Sequence, residues 1–161
     1  MSYTLGSLTL LRAASGTSTD TGATVLDSIA LSGLTILDSL LVVVNLSQIT
    51  QQTNGDLFLR NTTDSVNLAQ LSENGNMLAG YYAMERWVIR QDQSSDVQIM
   101  ALGDTWSNNA GAGQETAQVM GRRAVATTAW TAPWTLGLYS GGQVAGGTTR
   151  WSWAVYKIAG Q

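Results

Sequence analysis

Apolar residues in this chain recur at every second position, which is the side-chain period of a β-strand. The clearest case runs from Asp38 to Ile49. Leu40, Val42, Val44 and Leu46 occupy one face there, and Leu41 and Val43 the other. A helix is the alternative for such a run, but its β-branched residues and short length favour a strand. Apolar side chains on both faces imply a central strand covered on both sides.

The same period recurs along the chain. Strands are predicted over Tyr3 to Ala13, Thr24 to Leu31, Asp56 to Thr62, Val66 to Leu71, Glu115 to Ala126, Leu136 to Tyr139 and Thr148 to Ile158. In the second of these Val25, Ile29 and Leu31 share a face that Asp27 interrupts. Between Met77 and Arg90, Tyr82, Met84, Arg86, Val88 and Arg90 oppose Tyr81, Ala83, Glu85, Trp87 and Ile89, although a helix is the competing reading for that stretch. A further strand is marked by Val97, Ile99 and Ala101. Asn54-Gly55 and Asn74-Gly75 are the sharpest turn signals, because both residues tolerate the positive φ of a type I′ hairpin turn. Ser15 to Gly22 and Gly103 to Gln114 read as loops. About eight to ten short strands at even spacing, with no βαβ rhythm and no linker, predict an all-β chain. The expected architecture is a two-sheet antiparallel sandwich, jelly-roll-like, in a single domain over 1–161.

Composition narrows the function classes. Only 12% of the 161 residues are charged, and Lys157 is the one lysine. Typical domains carry about 25% charge, so repulsion between copies is weak and much of the surface is suited to being covered by other subunits. The formal net charge is −3 and Arg122-Arg123 is the only adjacent basic pair, which argues against nucleic acid and anionic membrane as partners. With no cysteine, disulfides and thiolate metal sites are excluded. The start, Met1-Ser2-Tyr3-Thr4, lacks the features of a signal peptide, so synthesis in a cytoplasm is expected.

Histidine is also missing, which removes the Ser-His-Asp triad and imidazole metal ligands. No phosphate-binding loop, dinucleotide fingerprint or calcium loop is present, and Gly111-Ala112-Gly113 is too short to cradle phosphate. No cofactor is therefore expected. A small glycosidase would need two facing carboxylates, for which Glu73, Glu85, Asp104 and Glu115 are the candidates. Most acidic residues are simply solvated, so the chain is not expected to be an enzyme. The triplets Asn45-Leu46-Ser47 and Asn61-Thr62-Thr63 match the glycosylation pattern, which is frequent by chance.

The six tryptophans divide into two groups. Trp87, Trp151 and Trp153 fall within strand patterns and are expected in the core or at a subunit interface. Trp106, Trp130 and Trp134 lie near predicted loops. For these three, core packing, subunit contact and stacking on a sugar ring are all open.

Two stretches carry a resemblance to a known group. Leu26-Asp27-Ser28-Ile29-Ala30-Leu31-Ser32-Gly33-Leu34, continuing through Asp38-Ser39-Leu40-Leu41-Val42-Val43-Val44 to Leu57-Phe58-Leu59-Arg60-Asn61, resembles small virion proteins of tailed bacteriophages. The ending Arg150-Trp151-Ser152-Trp153-Ala154-Val155-Tyr156-Lys157-Ile158 is similar to the last strand of phage jelly rolls. Together they cover under half the chain and share no catalytic signature. The resemblance implies a trimeric jelly roll in the virion that either decorates a capsid or forms a fibre head. A homotrimeric capsid decoration protein, with the major capsid or another virion protein as partner, is the first expectation. A short chain with its own start residue favours it over a fibre tip. A carbohydrate-binding receptor module of a tail fibre is the alternative.

Overall fold

The computed structural model describes residues 7–19, 23–50, 57–71, 82–92, 98–109, 114–125, 128–141 and 148–160; for 48–50, 105–109, 114–125 and 141 the description is of backbone alone. Among these residues there are ten strands and no helix: β1 (Leu8–Ser18), β2 (Ala23–Leu31), β3 (Ser39–Thr50), β4 (Leu57–Asn61), β5 (Val66–Gln70), β6 (Tyr82–Gln91), β7 (Gln98–Asn109), β8 (Gln114–Val125), β9 (Trp134–Gly141) and β10 (Thr148–Ile158). They form two antiparallel sheets, one in the order β1-β10-β3-β6-β7-β8 and one in the order β2-β9-β4-β5.

The pairing has a nested logic. Setting aside β7 and β8, the first strand pairs with the last, β1 with β10, and then β2 with β9, β3 with β6 and β4 with β5. Such nesting is one long hairpin, wrapped so that successive rungs fall in opposite sheets, which is a jelly roll. The β7–β8 hairpin adds two strands beyond β6. The expected sandwich is therefore present, with an extension that makes one sheet wider than the other.

The period-two pattern explains the core. Leu40, Val42 and Val44 of β3 are completely buried, as are Leu59, Leu68, Leu136 and Leu138 from the facing sheet. Along β6, Ala83, Glu85, Trp87, Ile89 and Gln91 are buried and the intervening residues exposed, so this stretch is a strand and not a helix. Two core tryptophans lie over glycines on the neighbouring strand. Trp87 is directly opposite Gly103, and Trp151 opposite Gly16. A Cβ on Gly16 would come within 2.6 Å of the Trp151 ring, and one on Gly103 would collide with Trp87 and with the Arg86 carbonyl. The missing side chains make room for the indoles.

Some local expectations are corrected. The strand predicted to end at Ala13 continues to Ser18, which takes in part of the predicted Ser15–Gly22 loop. Gly103 to Asn109 is strand, not loop. Val25 is exposed, because a bulge between Val25 and Asp27 shifts the alternation and turns Asp27 inward. A matching irregularity lies between Leu10 and Arg12 on β1. The residues that follow the two bulges meet: Arg12 donates to both Asp27 carboxylate oxygens, from Nε at 2.9 Å and from Nη2 at 2.6 Å. This pair bridges the edges of the two sheets, and Trp153 Nε1 adds a bond to Asp27 Oδ2 at 2.7 Å. The two Asn-Gly turn signals and the Gly142–Gly147 stretch lie outside the described residues.

Candidate interaction surface on the six-stranded sheet

Residues paired across antiparallel strands project to the same face. The registers of β1, β10, β3, β6 and β7 therefore define rows on the outer side of the six-stranded sheet. One row reads Leu10, Tyr156, Leu41, Val88, Leu102. Leu10 and Leu102 are 54% and 57% exposed, Val88 is 37% exposed, and Leu41 and Tyr156 are half-buried among their neighbours. Ala13, Ala154 and Val43 continue the apolar surface in the next row, up to the exposed ion pair between Arg86 and Asp104. In the row on the other side Leu8, Ile158 and Met100 share the face with Ser39 and the exposed Arg90. Of the strands that carry it, all but β1 are paired on both sides.

This face departs from the reading of β3 as a strand covered on both sides. One face of β3 is covered by the second sheet. Leu41 and Val43 lie on the other, which no described residue covers. Monomeric domains rarely expose contiguous apolar patches larger than a few hundred Å².

The same face changes character along the strands. Toward Ser18 on β1 the rows become Ser15, Ser152, Asn45 and then Thr17, Arg150, Ser47. With Gly16, Trp151 and Leu46 between them, they line a depression of about 410 Å³. On β6 the same rows carry the exposed Met84 and Tyr82, so the hydroxyl-rich part of the face is confined to β1, β10 and β3.

Of the three readings open for the tryptophans near predicted loops, core packing holds for two. Trp130 is 0% and Trp134 3% exposed. Their ring centroids are 5.6 Å apart, Trp130 Nε1 donates to the Thr35 carbonyl at 3.0 Å, and Trp134 Nε1 donates to the Trp130 carbonyl at 3.3 Å. Both are core residues, and neither offers a ring to a subunit or a sugar. The turn around Pro133 folds them inward. Trp106 lies on β7 opposite Met84 and Ala117, and its side chain is outside the described set. The sequence reasoning missed the outer-face row, although Leu41 and Val43 already signalled a second apolar face.

The carboxylates do not form a hydrolytic pair among the described residues. Glu85 is fully buried on the inner face and accepts a bond from Trp87 Nε1 at 2.9 Å, whereas Asp104 pairs with Arg86 on the outer face. Glu73 lies outside the described residues, as does the side chain of Glu115. Asp38 is buried and structural: it accepts from the Thr35 N–H at 2.6 Å, the Gly160 N–H at 3.2 Å and Lys157 Nζ at 3.0 Å. Asn61, in one glycosylation triplet, is fully buried. Comparison with known protein families and with curated proteins gives no match.

Proposed function

We propose that this chain is a structural virion protein that decorates a bacteriophage capsid as a homotrimer. One observation carries the assembly part of this reading: the outer face of the six-stranded sheet exposes an apolar row across five strands, from Leu10 to Leu102. A low charge content supports it, since weakly charged surfaces tolerate association. The virion setting rests on the resemblance of the Leu26–Asn61 and Arg150–Ile158 stretches to phage proteins, and the jelly-roll strand order is compatible with it. The rival reading, a glycan-binding receptor module, drew on exposed indoles, and two of its three candidates are buried.

The test is co-sedimentation with phage heads that lack the protein. Saturable binding, with a stoichiometry in multiples of a trimer, is the expected result. Absence of binding to heads, with binding to tail fibres instead, would overturn the decoration reading.

A further inference from the structure

We infer that the hydroxyl-rich part of the six-stranded sheet's outer face is a binding site for a carboxylated saccharide, a uronic- or sialic-acid type of sugar residue. This holds independently of whether the chain sits on a capsid. The depression has a volume of about 410 Å³ and is broadly open to solvent, so it would take one sugar residue against its floor rather than enclose it. Six side chains project into it from three adjacent strands: Ser15 and Thr17 from β1, Arg150 and Ser152 from β10, and Asn45 and Ser47 from β3. The residues between them point into the core, so the floor is fixed by packing: Leu46 is 2% and Trp151 9% exposed.

The chemistry of the lining selects the ligand class. Four hydroxyls and one carboxamide each donate and accept, as the hydroxyls of a sugar do. The Asn45 amide already donates to Ser152 Oγ at 3.3 Å, which orients the middle of the site. Arg150 is the only charged residue lining the depression. Among the described residues, ion pairs join Arg12 to Asp27, Arg86 to Asp104 and Lys157 to Asp38, and Arg150 takes part in none. A planar guanidinium with its fork open fits a carboxylate by two parallel hydrogen bonds. Arg150 thus supplies the acid contact and the surrounding hydroxyls the polyol contacts.

Saturation-transfer NMR on the full chain, with glucuronate and glucose as probes and inorganic phosphate as competitor, tests this. Glucuronate should bind, and glucose about tenfold more weakly, the equivalent of about 1.4 kcal/mol. Arg150→Gln should erase that preference, and Asn45→Asp should weaken glucuronate more than it weakens glucose. Both positions are exposed, so an unchanged melting curve checks that the variants fold. Failure of glucuronate to bind at millimolar concentration, equal binding of glucose, or an Arg150→Gln protein that binds glucuronate like the parent would each overturn the proposal. Displacement of glucuronate by an equal concentration of phosphate would reduce the site to a plain anion site and overturn the saccharide assignment.

Discussion

Gly103 shows how much a single missing side chain can carry. Trp87 packs across it, and a Cβ there would meet both the indole and the Arg86 carbonyl. Gly103→Ala should therefore destabilise the fold by about 1–3 kcal/mol, the range for overpacking. A denaturation midpoint equal to the parent's would contradict this packing. Two aspartates set the acid response. Hydrogen bonding from Arg12 is the main influence on Asp27, with Trp153 adding to it, and together they hold its carboxyl below the usual range against the effect of burial. For Asp38, burial is the largest single influence and acts upward, but Thr35, Lys157 and Gly160 outweigh it and the net shift is downward. A carboxyl lowered in the folded state contributes stability above its unfolded value of about 3.9, and that contribution fades as pH falls through the folded value. Stability should be flat from neutral pH to about pH 5 and decline below about pH 4, less steeply in Asp27→Asn. A profile flat down to about pH 2 would contradict these shifts. Residue roles were legible where a strand pattern held them, as for Trp87 and Trp153. They were not for Trp130 and Trp134, because proximity to Pro133 signals a turn but not whether the turn folds over the core.

At the level of strands, β3 and β6 were readable because each keeps strict alternation over its length. Val44→Ala should cost about 1–3 kcal/mol, since the side chain is fully buried in the central strand. A variant that melts like the parent would place β3 elsewhere. The bulges were not readable. One extra residue at Leu11 or Leu26 leaves the composition unchanged and only shifts the face on which later side chains fall. Asp27 interrupting its apolar face was the trace of that shift. β7 was shortened in the sequence reading because Gly103, Asn108 and Asn109 count as turn formers. Pairing with β6 and β8 overrides that weak local preference.

For the whole molecule, the strand order follows from nesting the first strand with the last, which no local pattern specifies. The unequal sheets follow from the added β7–β8 hairpin, and the wider sheet leaves an apolar outer face. The central claim is that the apolar end of this face, around Leu10, Leu41 and Leu102, is covered by other copies of the chain. Apolar contacts of that kind depend little on salt, because screening acts mainly on exposed charges. The direct measurement is light scattering coupled to size exclusion at low and high salt, on the parent and on Leu102→Asp. Leu102 is 57% exposed, so the change leaves the core intact while placing a charge at the centre of the row's β7 end. The expected result is a salt-insensitive trimer for the parent and a folded monomer for Leu102→Asp. A parent that is monomeric at every concentration, or a variant that remains trimeric, would contradict the account.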